Sequence, residues 1–97
     1  MIVRIGNHIF DDVLFDRERD VLYMHKGEPI PASETIATPE GHAVMLDESG
    51  EIIGITVVNA QWLAERDGQI TITVPETAPA PGPLATSARD LAPAFAA

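Results

Sequence analysis

Val44-Met45-Leu46-Asp47-Glu48-Ser49-Gly50-Glu51-Ile52-Ile53-Gly54-Ile55-Thr56-Val57-Val58 decides the fold. Two apolar runs, the second rich in β-branched residues, flank the polar Asp47–Glu51, and Gly50 is free to take the positive φ that closes a tight turn. The segment reads as a β-hairpin. Upstream, Ile9 to Phe15 and Val21 to His25 flank the charged Asp16-Arg17-Glu18-Arg19-Asp20 and read as a second hairpin. Before them, Ile2-Val3-Arg4-Ile5 stops at Gly6-Asn7. Downstream, Asn59 to Arg66 is the one helical stretch, with Asn59 as cap, Trp62 and Leu63 inward, and Asp67-Gly68 as the stop. Gln69 to Val74 then alternates, Ile70, Ile72 and Val74 on one face and Thr71 and Thr73 on the other, until Pro75 ends it. The order β-β-β-β-β-α-β predicts an α+β, mainly β domain: an antiparallel sheet of five to six strands with one short helix near 59–66. Gly27 to Gly41, with Pro29, Pro31 and Pro39, reads as a long irregular connection between the hairpins.

Val21-Leu22-Tyr23-Met24 and Ile52 to Val58 are apolar on both faces, unlike strands of a sheet with one wet side. One eight-residue helix cannot cover such a sheet, so a protein partner or a second copy is expected over the rest.

The chain has 97 residues, enough for one small domain. Composition shifts after Val74-Pro75. Residues 1–75 form the expected folded unit, and residues 76–97 are rich in Ala and Pro. Glu76 to Pro83 reads as an extended, polyproline-like linker. Beyond it, Thr86 or Ser87 can cap a short helix over 86–92, which Pro93 would interrupt. The composition reads as a flexible tail. The sharper alternative is a segment that orders against a partner or second subunit through Leu84, Leu91 and Phe95.

Six Lys and Arg against 15 Asp and Glu leave a net charge of −9. Such a chain lacks the basic surface needed to neutralise phosphates, so neither nucleic acid nor an anionic membrane is expected as a direct partner. There are no cysteines, which removes disulfides, thiol catalysis and thiolate metal sites. No apolar run reaches the ~18 residues of a membrane span, and Met1-Ile2-Val3-Arg4 lacks a signal peptide's order. A cytoplasmic protein is expected.

Phe15-Asp16, three residues, then Asp20-Val21-Leu22-Tyr23-Met24 resembles the opening motif of the bacterial domain-of-unknown-function 2283 family. Val44 to Ile55 is similar to that family's second motif: a strand, Leu-Asp, a Gly turn and an apolar-apolar-Gly-Ile run. Val58-Asn59-Ala60 sits where the family turns into its short helix. The resemblance covers roughly residues 10–66. Phe15 replaces the usual Tyr, and Thr56 stands where the family often has Glu. The resemblance implies a small β-rich fold, no activity, and the context of an acidic antitoxin-like partner beside a compact basic ribonuclease-like toxin.

Chemistry-bearing residues are sparse. His8, His25 and His42 lack the i, i+4 spacing of a helical zinc site, but could meet at one sheet edge beside Asp11, Asp12 or Asp20. The alternative is three unrelated histidines. Asp11, Asp12, Asp16 and Asp20 read as a solvated loop cluster interleaved with Arg17 and Arg19, with Asp16 and Asp20 serving the turn. No serine sits in a nucleophile elbow, and there is no phosphate-binding glycine loop. Trp62 and Tyr23 read as core, with an interface as the alternative. The expected function is therefore non-enzymatic protein binding, without cofactor or metal, with Tyr23, Met24, Trp62, Leu84, Leu91 and Phe95 as candidate contact residues. A homodimeric structural domain comes second, and a small metal-dependent enzyme using His8, His25 or His42 third.

Overall fold

The computed structural model describes residues 1–27, 30–74 and 82–96. It contains β1 (Val3–Ile5), β2 (His8–Phe10), β3 (Asp12–Asp16), β4 (Val21–His25), β5 (Glu34–Ala37), β6 (Ala43–Leu46), β7 (Ile52–Val58), α1 (Ala60–Asp67), β8 (Gln69–Val74), β9 (Gly82–Ser87) and α2 (Ala88–Ala96). The central sheet has five antiparallel strands in the order β3-β4-β7-β6-β5. Two antiparallel ribbons, β1-β2 and β8-β9, complete the strands.

Both expected hairpins form. Asp16 pairs with Val21 across the first turn, Leu46 pairs with Ile52 across the second, and Gly50 has φ 89°. A register shift between Met45 and Leu46 explains part of the apolar run in β7. Such a bulge breaks the strict alternation of faces, so Ile52 and Ile55 both enter the core. β8 buries Ile70, Ile72 and Val74 as expected.

Three expectations about the strands and the C-terminal segment are corrected. Ile9 to Phe15 is two strands, broken at Asp11, whose carboxylate accepts the Gly27 N–H at 2.6 Å. The connection from Gly27 to Gly41 contains β5, which pairs with β6 and closes through a turn at Thr38–Gly41, where Gly41 N–H donates to the Thr38 carbonyl at 3.0 Å. Pro29 lies outside the described residues.

The third correction concerns the C-terminal segment. Residues 75–81, most of the expected linker, lie outside the described residues. From Gly82 the chain returns to the fold rather than trailing as a tail. β9 pairs with β8 along its whole length, and α2 buries Leu91, Ala94 and Phe95 in the common core. Ser87 caps α2 as expected, accepting the Asp90 N–H at 3.1 Å. Pro93 lies inside α2 instead of ending it at 92. The lost backbone bond is offset by anchoring at both ends: Ala88 N–H donates to Gly68 O at 2.9 Å, and Arg17 donates to Phe95 O at 2.6 Å. Phe15 meets the Phe95 ring edge-on at 4.9 Å.

The α1 helix begins and ends on local geometry. Gly68, at φ 73°, donates its N–H to Ala64 O as the expected stop. Asn59 makes no side-chain cap bond; Asp20 supplies the cap from the β3–β4 turn. Its carboxylate accepts the N–H groups of Gln61 at 2.7 Å and Trp62 at 3.1 Å, and its carbonyl accepts that of Ala60 at 3.0 Å. The helix buries Ala60 and Ala64, half-buries Leu63 and turns Trp62 outward, so Trp62 is not core. Both helices and both ribbons thus share one core with Leu22, Met24, Val44, Leu46, Ile55 and Val57 of the central sheet. No described helix is long and apolar enough to cross a membrane.

Candidate functional site

Sheet register separates the two faces of the central sheet. Val13, Phe15, Leu22, Met24, Val44, Ile55 and Val57 point to the core. Their neighbours Leu14, Tyr23, Thr56 and Ala43 form a row across the opposite face, through the pairs Leu14–Tyr23, Tyr23–Thr56 and Thr56–Ala43. Leu14 is 65% exposed, Tyr23 41% and Val58 39%. A shallow hollow of about 220 Å³ lies among Asp12, Leu14, Tyr23, His25 and Met45. Met45 folds its methyl over Gly54: a Cβ there would overlap that methyl and press on the Met24 carbonyl at 3.1 Å.

The candidate contact residues therefore divide. Tyr23 and Trp62 are exposed, Leu84 is half-buried against the core, and Met24, Leu91 and Phe95 are 1%, 0% and 7% exposed. Those last three are core of this chain and cannot contact a partner without unfolding it. Leu14, Met45 and Val58 take their place on the surface. Alternation within the apolar runs carried that signal: Leu14 between inward Val13 and Phe15, Val58 after inward Val57.

The three histidines occupy separate settings. His8 Nδ1 lies 2.9 Å from Lys26 Nζ, and Lys26 stands over the Phe10 ring. His25 sits on the outer sheet face, and both its ring nitrogens are buried without a hydrogen-bond partner. His42 is 2% exposed, and its Nδ1 accepts the Val58 N–H at 3.1 Å. Among the described residues, no three His, Asp or Glu side chains are grouped to hold a metal ion. The acids of the first hairpin also work separately. Asp11 ties Gly27, Asp16 pairs with Arg19 at 3.2 Å, and Asp20 caps α1. Hydrogen bonding from the Arg19 backbone is the main cause that holds the Asp16 carboxyl below its ordinary value.

Burial lowers the His42 pKa below its ordinary 6.5, against a smaller opposing pull from Glu40. Burial, then the Lys26 charge, lowers that of His8, with Glu51 opposing. Above 6.5 both rings are neutral whether the chain is folded or not, and their contribution is complete. As pH falls from 6.5 through the lowered folded values, the unfolded chain takes up protons that the folded chain refuses, and stability is lost. The thermal midpoint is expected to fall between about pH 7 and pH 5, before the ordinary carboxylate range near pH 4 is reached. Unchanged midpoints over that interval would contradict the neutral, buried state of His42.

Two further hollows bear on binding. One of about 390 Å³ is lined by Glu40, His42, Leu63, Arg66 and Gln69, but its charged groups face partners within the chain: Glu40 holds Thr73, and Arg66 holds Asp67 at 2.8 Å. The other, of about 550 Å³, runs between Ile30–Ser33 and Asp47–Ser49. Ile30 is 54% exposed there, Glu48 is exposed beside it, and Glu34 follows in β5. Asp47 Oδ1 accepts the N–H groups of Ser49 at 2.8 Å and Glu51 at 3.0 Å, so the acidic turn is held in shape. Arg19 and Arg66 are paired to acids, Lys26 lies against His8, and Arg17 binds the end of α2. No protein-family model, curated protein or solved structure matches the chain.

Proposed function

We propose that the chain is a non-enzymatic, cytoplasmic protein-binding domain that docks a small basic protein, as an antitoxin covers its toxin. The observation that carries this reading is the charge layout. A net −9 is combined with a hydrogen-bonded acidic turn, Asp47–Glu51, beside an exposed apolar floor at Ile30. Lys and Arg side chains suit such a groove, with the charged head on the acids and the aliphatic stem on Ile30 and Pro31. The field of the whole chain steers a basic partner toward it and speeds association. The resemblance to the domain-of-unknown-function 2283 family supports the same context.

The test is titration of the chain with the product of the adjacent gene, which this reading expects to be a small basic protein. Glu48 is exposed and outside the hydrogen bonds that shape the turn, so Glu48→Lys leaves the fold intact. The substitution is expected to weaken the complex roughly three- to tenfold at low salt, mostly through a slower association rate. Equal affinity of the two proteins would remove the acidic turn from the interface, and no complex with the unaltered chain would remove the reading.

A further inference from the structure

One edge of β8 carries no strand, and the ladder with β9 fixes which backbone groups that edge presents. Among the described residues β8 pairs with β9 alone. Ala88 N–H donates to Gly68 O at 2.9 Å, which sets the phase of the ladder. The hydrogen-bonded pairs are then Ile70–Thr86, Ile72–Leu84 and Val74–Gly82. Pro83, opposite Thr73, has no N–H to give, in keeping with that phase. Gln69, Thr71 and Thr73 therefore turn their N–H and C=O groups away from β9. Glu40 accepts the Thr73 N–H at 2.9 Å and closes that end of the edge. The Thr71 N–H has no acceptor among the described residues. Gln69, Ile70 and Thr71 line the hollow of about 390 Å³.

His42 lines the same hollow. Its Nδ1 accepts the Val58 N–H at 3.1 Å, which puts the proton on Nε2, and no described residue accepts that second N–H. The hollow thus offers backbone donors and acceptors at strand spacing together with a side-chain donor. An extended peptide, with N–H and C=O groups along both of its edges, answers all of them. We infer that β8 takes up a short extended segment of another protein as a third strand of the β8–β9 ribbon, one that carries Lys or Arg at its ends. Acids bracket the edge: Asp67 stands just before β8 at one end, and Glu40 holds Thr73 at the other. The four residue steps from Gln69 to Thr73 span about 13 Å, the length of a five-residue strand. Leu63 and Ile70 line the hollow and supply apolar contact for the middle of the segment. Residues of α1 and of the turn before β6 flank this edge, which leaves room for a single strand. A second copy would bring the same flanks against these. The surface shares no lining residue with the acidic groove, and the inference does not rest on that groove's role.

Amide exchange and chemical shifts of the full chain, titrated with a blocked Lys-Val-Thr-Val-Lys peptide, test this. In the free chain the Thr71 amide should exchange about tenfold or more faster than those of Ile70 and Ile72. The peptide should shift the Thr71 signal and slow its exchange. The same peptide, N-methylated on its three middle residues, keeps both charges and loses the donors, and should bind about tenfold more weakly. Thr71→Pro removes a donor that the ladder does not use, so the circular dichroism spectrum should persist while affinity falls about tenfold. If that variant does not fold, the methylated peptide decides. Glu48→Lys, at the acidic turn, should change the affinity by no more than about twofold at about 150 mM salt. A Thr71 amide already protected in the free chain overturns the inference, as does equal binding of the methylated peptide. So do the absence of any shift up to about 5 mM peptide, and shifts centred on Asp47–Glu51 in place of β8. Protection of Thr71 that grows with chain concentration alone would put a second copy on the edge and overturn it too.

Discussion

Leu91→Ala is expected to destabilise the domain by about 2–5 kcal/mol, and truncation after Val74 to abolish its cooperative thermal transition. Leu91 is 0% exposed, and with Ala94 and Phe95 it closes the core against β1, β3 and β9. A chain of this length has a total stability of about 5–15 kcal/mol, so a single cavity at Leu91 removes a large share of it. Truncation removes more. It strips β9 from β8, uncovers Ile70 and Ile72, and takes away the Phe95 ring that packs on Phe15. Chemical denaturation of the full-length and Leu91→Ala proteins, with circular dichroism of the truncated chain, gives the answer. A truncated chain that melts like the full one would mean that residues 82–96 are dispensable, as their Ala- and Pro-rich composition suggests.

Asp20→Ala should cost about 1–2 kcal/mol, through loss of a cap that comes from far along the chain. The carboxylate satisfies two N–H groups at the start of α1, where negative charge is also favoured by the helix dipole. Asp20 itself has φ 56°, in the left-handed region. Alanine loses the cap and keeps the strained backbone, whereas glycine loses the cap and relaxes it. The expected ranking is therefore Asp20→Ala worst, Asp20→Gly milder by about 0.5–1 kcal/mol, and Asp20→Asn mildest, since Asn still accepts a bond and tolerates the conformation. Urea midpoints of the three variants check the order. If Asp20→Asn proved as damaging as alanine, charge rather than cap geometry would dominate.

These two results mark where the sequence is readable and where it stops. The hairpin turns at Asp16–Asp20 and Asp47–Glu51, the alternation of β8 and the Gly68 stop are local chemistry, and each is visible in a short window. β5 is not. Glu34-Thr35-Ile36-Ala37 has one inward apolar residue between prolines, and it is a strand because β6 offers it a ladder. β9 and α2 are hidden for the same reason: Gly82, Pro83 and Pro93 argue locally against regular structure, and the ladder with β8 and burial of Leu91 and Phe95 override them. A sequence window points to Asn59 as the α1 cap because it contains only neighbours, and Asp20 lies about 40 residues away. Trp62 shows the reverse error. Its size suggests core, but α1 uses the small Ala60 and Ala64 to approach the sheet, and Trp62 stacks under Arg66 at 4.5 Å on the outside.

The candidate surfaces divide along the same line. The doubly apolar strands point to an apolar second face, and the register places Leu14, Tyr23 and Val58 on it, all exposed. The acidic groove was not readable, because it joins Ile30–Ser33 to Asp47–Ser49 from distant parts of the chain.

Sedimentation velocity of the chain mixed with the product of the adjacent gene, at about 50 mM and about 500 mM salt, tests the central claim most directly. The account predicts a complex heavier than either protein at the lower salt that dissolves at the higher one, as expected for recognition through the acidic turn. Two independently sedimenting species at low salt, or a complex indifferent to salt, would contradict it.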